Sequence, residues 1–338
     1  MTSSRTAACL LAVAATLTTA VPARAQLTLG DQRVGTSSGS FLRIGVGARA
    51  TGLGETFVAV ANDPSAIYWN PAGLASLQRS ELLLSHIEWP ADIRYEHAAW
   101  VLPVRRLGGS VAFQFGMLTT ELDETTELQP FGTGRSFYYS DAVAGVAYAR
   151  RWTDKLLVGA GTKWVREDLG SDVGGPVTNV LLVDMGSIYY LGYGSVRIAT
   201  SLSNFGAQFR PRDLHNGGQW VSPVTGEHRD YDGFDPPTVF RYGIAFEPIE
   251  NATQRLTTTL EANQPSDNAL AVKAGAEWTW NRRLALRSGY NFRSDEFKFS
   301  AGAGLYAGIG QSQLSVDYAY TQGDFLGAIN RLSLGVRF

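Results

Sequence analysis

Cysteine is almost absent from this chain. The 338 residues hold one, Cys9, and it falls inside an N-terminal apolar run. The rest of the sequence therefore has no disulfide framework. Charge is scarce: Asp, Glu, Lys and Arg together make 18% of the residues, where about 25% is usual for a soluble domain. A net charge of -2 and scattered basic residues give no footing for nucleic acid. Beyond residue 25 no apolar stretch approaches the roughly eighteen residues that a spanning helix needs. That excludes a bundle of membrane helices but not a closed barrel, whose strands need only about ten residues each. Histidine is rare, and His86, His97, His215 and His228 show no metal-ligand spacing.

What is present begins with Arg5 and the apolar run "AACLLAVAATLTTAV". Ala23-Arg24-Ala25 fits a small-x-small cleavage site, so residues 1–25 read as a secretory signal peptide. An uncleaved anchor helix is the alternative, but the run is short for one. Cys9 does not sit at the cleavage point, which argues against a lipid anchor.

From residue 79 onward the dominant signal is a period of two. In "ALAVKAGAEWTW", Leu270, Val272, Ala274, Ala276, Trp278 and Trp280 share one face, and Lys273, Gly275, Glu277 and Thr279 the other. "RLALRSGYNFRS", "QLSVDYAY" and "RLSLGVRF" repeat the alternation, which argues strand rather than helix. The polar face carries Arg241, Glu261, Lys273, Glu277, Arg287, Lys298, Asp317 and Arg337. Bare charges do not fit the packed core of a small soluble barrel, but they suit a wet lumen, while the apolar face can meet lipid. The pattern predicts an all-β fold: a transmembrane up-and-down antiparallel barrel of about fourteen strands, in keeping with roughly ten residues per strand. The strands begin near Arg79, Asp92, Leu107, Ser136, Lys155, Pro176, Ser195, Pro237, Gln254, Asn268, Arg283, Phe297, Gly310 and Ala328. A large soluble sandwich with ordinary core aromatics is the competing architecture.

Connection lengths and aromatics favour the barrel. "RRLG", "WTD", "GYG", "NRR" and "GIG" alternate with long pieces such as "TTELDETTELQPFGTGR" and residues 206–235. Outer-membrane barrels have short periplasmic turns and long external loops, and an even strand count puts both barrel ends on the short-turn side. Trp100, Tyr148, Trp278 and Trp280 fall toward the short turns, and Tyr290, Phe292, Tyr318 and Tyr320 toward the long loops, as a double girdle requires. The expected location is the bacterial outer membrane, reached by Sec-type export, with both termini periplasmic.

Residues 26–78 are different: rich in Gly and Ala and poor in charge. They divide the chain into a signal peptide (1–25), an N-terminal plug (26–78) and a barrel (79–338). Asp63-Pro64 starts a short helical turn, with Asp63 accepting from an otherwise unpaired N–H and Pro64 in the first helical position. Asn70-Pro71-Ala72-Gly73 matches a type I turn, and Pro71 pushes Asn70 out of helical angles. "SAIYWNPAGLASL" thus reads as a corner that ends a helix and redirects the chain into the first strand, with Tyr68 and Trp69 packing the segment inside the barrel or against its wall. Direct ligand contact by Trp69 or Asn70 is the other reading.

Several patterns imitate chemistry. Gly35-Thr36-Ser37-Ser38-Gly39 fits G-x-S-x-G but lacks the strand and helix of a nucleophile elbow. Gly45 to Ala50 fits G-x-G-x-x-A without a βαβ unit. Asn251-Ala252-Thr253 is a glycosylation sequon by pattern only, and the acidic run from Glu121 to Glu127 lacks the spaced ligands and central Gly of a calcium loop. No catalytic set, cofactor site or metal site is predicted, and the protein is expected to be non-enzymatic.

"FLRIGVGARATGLGETFVAVANDPSAIYWNPAGLA" (Phe41–Ala75) closely resembles the N-terminal signature of the PorV/PorQ family, within the FadL-like group of fourteen-stranded outer-membrane barrels. "SLSNFG" and the terminal "NRLSLGVRF" agree, the latter resembling a barrel-assembly signal ending in an aromatic residue, here Phe338. The resemblance maps onto Arg49, Gly52, Gly54, Asp63, Trp69, Asn70, Pro71 and Gly73. It implies outer-membrane lipid and the barrel assembly machinery as partners. It also implies a role in type IX protein secretion or surface attachment, with a translocon or secreted proteins bearing a C-terminal sorting domain as partners. FadL-like relatives instead take up hydrophobic small molecules, which is the alternative. Glu55 stands where the family commonly has a small residue, and a lumen-facing charge there would sit badly in a greasy channel.

Overall fold

The computed structural model describes residues 33–125, 128–213, 218–221, 225–294 and 296–338. The signal segment with Cys9, His215 and part of the acidic run lie outside the described residues.

Strands β1 (Glu81–Trp89), β2 (Ile93–Val104), β3 (Gly109–Asp123), β4 (Ser136–Arg151), β5 (Leu156–Asp168), β6 (Val177–Tyr190) and β7 (Arg197–Gly206) follow one another as a meander. A two-residue ribbon, β8 (Trp220–Val221) with β9 (His228–Arg229), decorates the connection after β7. The meander resumes with β10 (Val239–Glu250), β11 (Gln254–Pro265), β12 (Ala271–Trp280), β13 (Leu284–Asn291), β14 (Phe297–Ile309), β15 (Ser312–Gly323) and β16 (Ile329–Arg337). β7 pairs with β10 across the long connection, and β1 pairs with β16 from Glu81↔Arg337 to Glu88↔Asn330. This closes an antiparallel barrel of fourteen strands with no free edge. Each barrel strand starts within three residues of its predicted position, because alternation over ten or more residues fixes which residues can be strand. The β8–β9 ribbon has no counterpart in the prediction; two residues a side are too few to carry a periodicity.

The outer face is a continuous apolar band. Leu181, Phe240, Leu260, Leu286, Leu305 and Val316 stand exposed on it, an area far beyond the few hundred Å² that a soluble monomer tolerates. Trp100 and Trp280 lie near its short-turn edge and Tyr290 and Tyr320 near its long-loop edge, all on the outside. Among the described residues no helix is long and apolar enough to cross a membrane.

The described residues before β1, 33–80, thread the lumen. Ser37 and Ser38 reach Asp267 and Glu167 at the long-loop rim, and the Leu77 carbonyl accepts from Ser110 at the foot of β3, on the short-turn rim. The first described residues therefore lie at the opposite rim from the start of β1 and the end of β16. Between the rims, the Ala48–Gly52 helical turn lies against β14 and β15, and the Pro71–Ser76 3-10 helix against β4, β5 and β6. Phe41, Ile44, Val46, Leu53, Phe57 and Trp69 from this segment form one buried cluster with Ile87, Tyr95, Leu157 and Ile188 of the wall. The lumen expected to be wet is, along this path, packed like a protein core.

Candidate functional site

The threaded segment fits because the wall offers it seats without side chains. Gly289, pointing inward from β13, abuts the Gly54 backbone so closely that a Cβ on Gly289 would collide with it. Gly54 has φ +67° and would itself meet the Gly289 backbone at 2.9 Å if it carried a Cβ. On the opposite wall, a Cβ on Gly159 would lie 2.5 Å from the Pro71 carbonyl carbon. Gly52 and Gly73 likewise pack backbone against backbone, on Gly302 and Ala61.

The Asn-Pro-Ala-Gly corner is a hydrogen-bond hub. Asp63 Oδ1 accepts the Ser65 N–H at 2.9 Å, and the Ala66–Trp69 turn ends at Asn70, whose φ of -159° is extended as Pro71 demands. The chain does not then pass into the first strand; it begins a second, 3-10 helix at Pro71, capped by Asn70 Oδ1 accepting the Ala72 N–H at 3.1 Å. A Pro in the first position suits a new helix start as well as a turn. The Asn70 amide donates to the Val58 carbonyl at 2.9 Å and to the Ser187 carbonyl of β6 at 3.2 Å, tying the corner to the wall. The Trp69 indole N–H donates to Val46 O at 2.9 Å and the Tyr68 hydroxyl to Leu42 O at 3.0 Å. Arg241 covers both rings, 5.5 Å and 5.8 Å from their centroids. Trp69 and Asn70 are thus fully engaged in packing this segment. Asn70→Ala removes the cap and strands the buried Val58 carbonyl, so it should lower stability by about 2–4 kcal/mol. The urea midpoint of the barrel in phospholipid vesicles measures this; an unchanged midpoint would mean the corner is dispensable.

Ion pairs hold the segment to the other wall. Arg49 forks onto Glu277 of β12 at 2.9 and 3.0 Å and reaches Asp63 at 3.2 Å. Glu277 also takes Arg287 of β13 at 2.7 Å, and Arg287 reaches Asp317 of β15 at 2.7 Å. Glu55, at φ +64°, faces the lumen and pairs with Lys273 at 2.7 Å. Burial works against charge on Glu55; Lys273, then Arg331, outweighs it and holds the carboxyl below the usual carboxylate range. Glu261 accepts the Val58 N–H at 2.9 Å. Of the remaining named charges, Lys298 sits at the long-loop rim with Asp324, and Arg337 at the short-turn rim with Glu81. Further buried pairs not named from sequence are Lys163–Asp184 and Arg197–Glu247; they lie in the same alternating strands and were open to the same reading.

Cavities flank the packed path. At the short-turn end one of about 460 Å³ is bordered by Arg49, Asp63, Glu81, Tyr306, Asp317 and Arg337. At the long-loop end one of about 160 Å³ lies beside Glu55. The imitation motifs take up structural work. Ser37 and Ser38 bind carboxylates rather than a histidine, and Gly45 to Ala50 runs into the helical turn whose Ala48 N–H donates to Ser333 Oγ at 2.8 Å. His86 pairs with Glu96 on the outer face and His97 is buried beside Gln114. Among the described residues no three His, Cys, Asp or Glu side chains gather to hold a metal.

A family model described as an uncharacterised protein family (UPF0164) matches residues 15–151. No curated protein matches the chain. Solved structures share the fold. The toluene transporter TbuX of Ralstonia pickettii aligns with a TM-score of 0.55 at 14% identity, covering 87% of this chain and 97% of its own. The toluene transporter TodX of Pseudomonas putida gives 0.55, 14%, 87% and 98%, and the monoaromatic hydrocarbon channel CymD gives 0.53, 14%, 87% and 97%. The likeness is one of fold, a closed fourteen-stranded antiparallel barrel. These matches bear on the FadL-like part of the resemblance and do not name the PorV/PorQ part.

Proposed function

We propose that this protein is an outer-membrane channel for small hydrophobic molecules, closed at rest by its own N-terminal segment. The observation that carries this reading is the threaded plug, seated on glycines and ion pairs and flanked by cavities, inside a barrel with the fold of hydrocarbon channels. A solute must pass that plug, so the plug has to shift. Residues 1–25 act as the export signal, 26–78 as the plug and 79–338 as the barrel. The short turns face the periplasm, and the Phe338 terminus serves assembly. The protein is non-enzymatic. The export reading rests on the N-terminal signature and the long connection after β7; the structural neighbours favour the channel.

Locking the plug tests this. Thr259 Oγ1 of β11 donates to Thr56 Oγ1 of the plug at 2.5 Å, so cysteines at both positions are close enough to bridge. The sequence after residue 25 has no cysteine to compete. Cells lacking other hydrocarbon channels should take up labelled toluene several-fold faster with the native chain. The oxidised Thr56→Cys/Thr259→Cys form should lose that gain and recover it on reduction. Uptake at the empty-vector rate for the native chain would sink the channel reading; equal uptake by the locked form would sink the moving plug.

A further inference from the structure

Among the described residues, the long-loop cavity of about 160 Å³ is lined by four cations, Arg43, Lys273, Lys298 and Arg331, and one carboxylate, Glu55. Three of the cations have a near counter-ion: Arg43 with Asp267 at 2.9 Å, Lys273 with Glu55 at 2.7 Å and Lys298 with Asp324 at 2.7 Å. Arg331 has no carboxylate within ion-pair distance among the described residues. Its Nη1 donates to Thr321 Oγ1 at 2.8 Å, while its buried Nε has no partner. An arginine that is 3% exposed and has no ion pair is costly unless an anion reaches the part of its guanidinium that borders the cavity.

The rest of the lining says what could. The Arg331 guanidinium lies 5.8 Å from the centroid of Trp89, whose ring is 5.6 Å from that of Phe297. Both rings border the cavity. A positive fork beside an aromatic wall suits a carboxylate carried on a flat apolar body. A cavity of about 150 Å³ accommodates benzene, so the space here takes one ring and not a long acyl chain.

We infer that this cavity binds a small aromatic carboxylate of the benzoate class, its carboxylate on Arg331 and its ring against Trp89 and Phe297. The inference rests on the channel reading and gives this one cavity a ligand class: an aromatic acid held here, beside the neutral hydrocarbons that the channel is proposed to pass. A neutral ring of the same size fits the space but leaves the Arg331 charge without an ion pair, and sites built to pair a polar group reject ligands that lack it.

The test is fluorine NMR of the full chain in detergent micelles, with 4-fluorobenzoate and 4-fluorotoluene as probes. Saturable binding of the acid is expected, at least tenfold weaker in Arg331→Gln and partly restored in Arg331→Lys. Arg150→Gln, at an exposed arginine of β4 outside this cavity, should leave it unchanged. Should Arg331→Gln not give a heat-modifiable folded barrel, Trp89→Leu replaces it, with a several-fold loss expected. Equal binding of acid and toluene analogue, equal competition by inorganic phosphate, or an unaffected folded variant at position 331 or 89 would overturn the assignment. Acid binding without toluene uptake would leave this site standing and remove the channel reading for toluene. Toluene uptake without preference for the acid would do the reverse.

Discussion

Gly289→Leu should turn the closed barrel into an open pore. The expected readout is liposome swelling in a small sugar at least tenfold faster than with the native chain. β13 is bonded to β12 on one side and β14 on the other, with Gly289 paired to Gly275 and Ser300. A side chain at 289 points inward and meets the Gly54 backbone. Overpacking a well-filled core costs about 1–3 kcal/mol when side chains can adjust; here the obstacle is backbone, so the cost is higher. The wall cannot retreat without breaking two ladders, whereas the plug is held by side-chain bonds that can be exchanged for water. The plug should therefore lift, beginning at Leu53–Thr56. Gly308→Leu is the matched control: a Cβ there meets nothing within 4 Å, and swelling should barely change. If folded Gly289→Leu barrels swell no faster than native ones, the plug is not seated on that wall.

The reason such a seat escapes sequence reading is instructive. Alternation reveals a face by contrast, and a glycine contributes none. In "ALAVKAGAEWTW" Gly275 counts as a gap on the polar face, yet it is where Thr56 and Leu53 of the plug rest. The signal was there in another form: Gly275, Gly289 and Gly302 recur on the inward face of the consecutive strands β12, β13 and β14, which marks close approach of another backbone. The strands, their order and the inward charges were legible because membrane barrels must alternate. The aromatic wall of the long-loop cavity was not. A register shift between Phe297 and Ser300 breaks the period there, so that Phe297 borders the cavity together with its neighbour Lys298. Pairing was also invisible: inward charges read as wetted by solvent are instead satisfied by one another, since only the folded barrel brings Arg49 of the plug to Glu277 of β12.

That triangle carries the second large expectation. Glu277→Leu should lower the stability of the plugged barrel by about 3–5 kcal/mol, the usual cost of removing one partner from a buried ion pair. Glu277 is shared: Arg49 of the plug and Arg287 of the wall both donate to it, and the Arg287 side chain is 0% exposed. Removing the carboxylate leaves Arg287 with Asp317 and Arg49 with Asp63, which limits the damage but strands the Arg49 N–H groups that forked onto Glu277. Adding Arg49→Met to Glu277→Leu removes those stranded donors, and a buried pair replaced by apolar groups of similar size is often neutral. The double variant should therefore be more stable than Glu277→Leu alone, an interaction energy of about 0.5–3 kcal/mol in a double-mutant cycle. The two variants should also part in permeability. Glu277→Leu strands a plug arginine and favours lifting it into water, so swelling should rise. The double variant leaves the plug apolar at that point, and swelling should stay near the native rate. Urea midpoints in vesicles and swelling rates on the same preparations read both quantities. Equal midpoints for the single and double variants would show that Arg49 and Glu277 are not coupled, and the plug would then be held by its glycine seats alone.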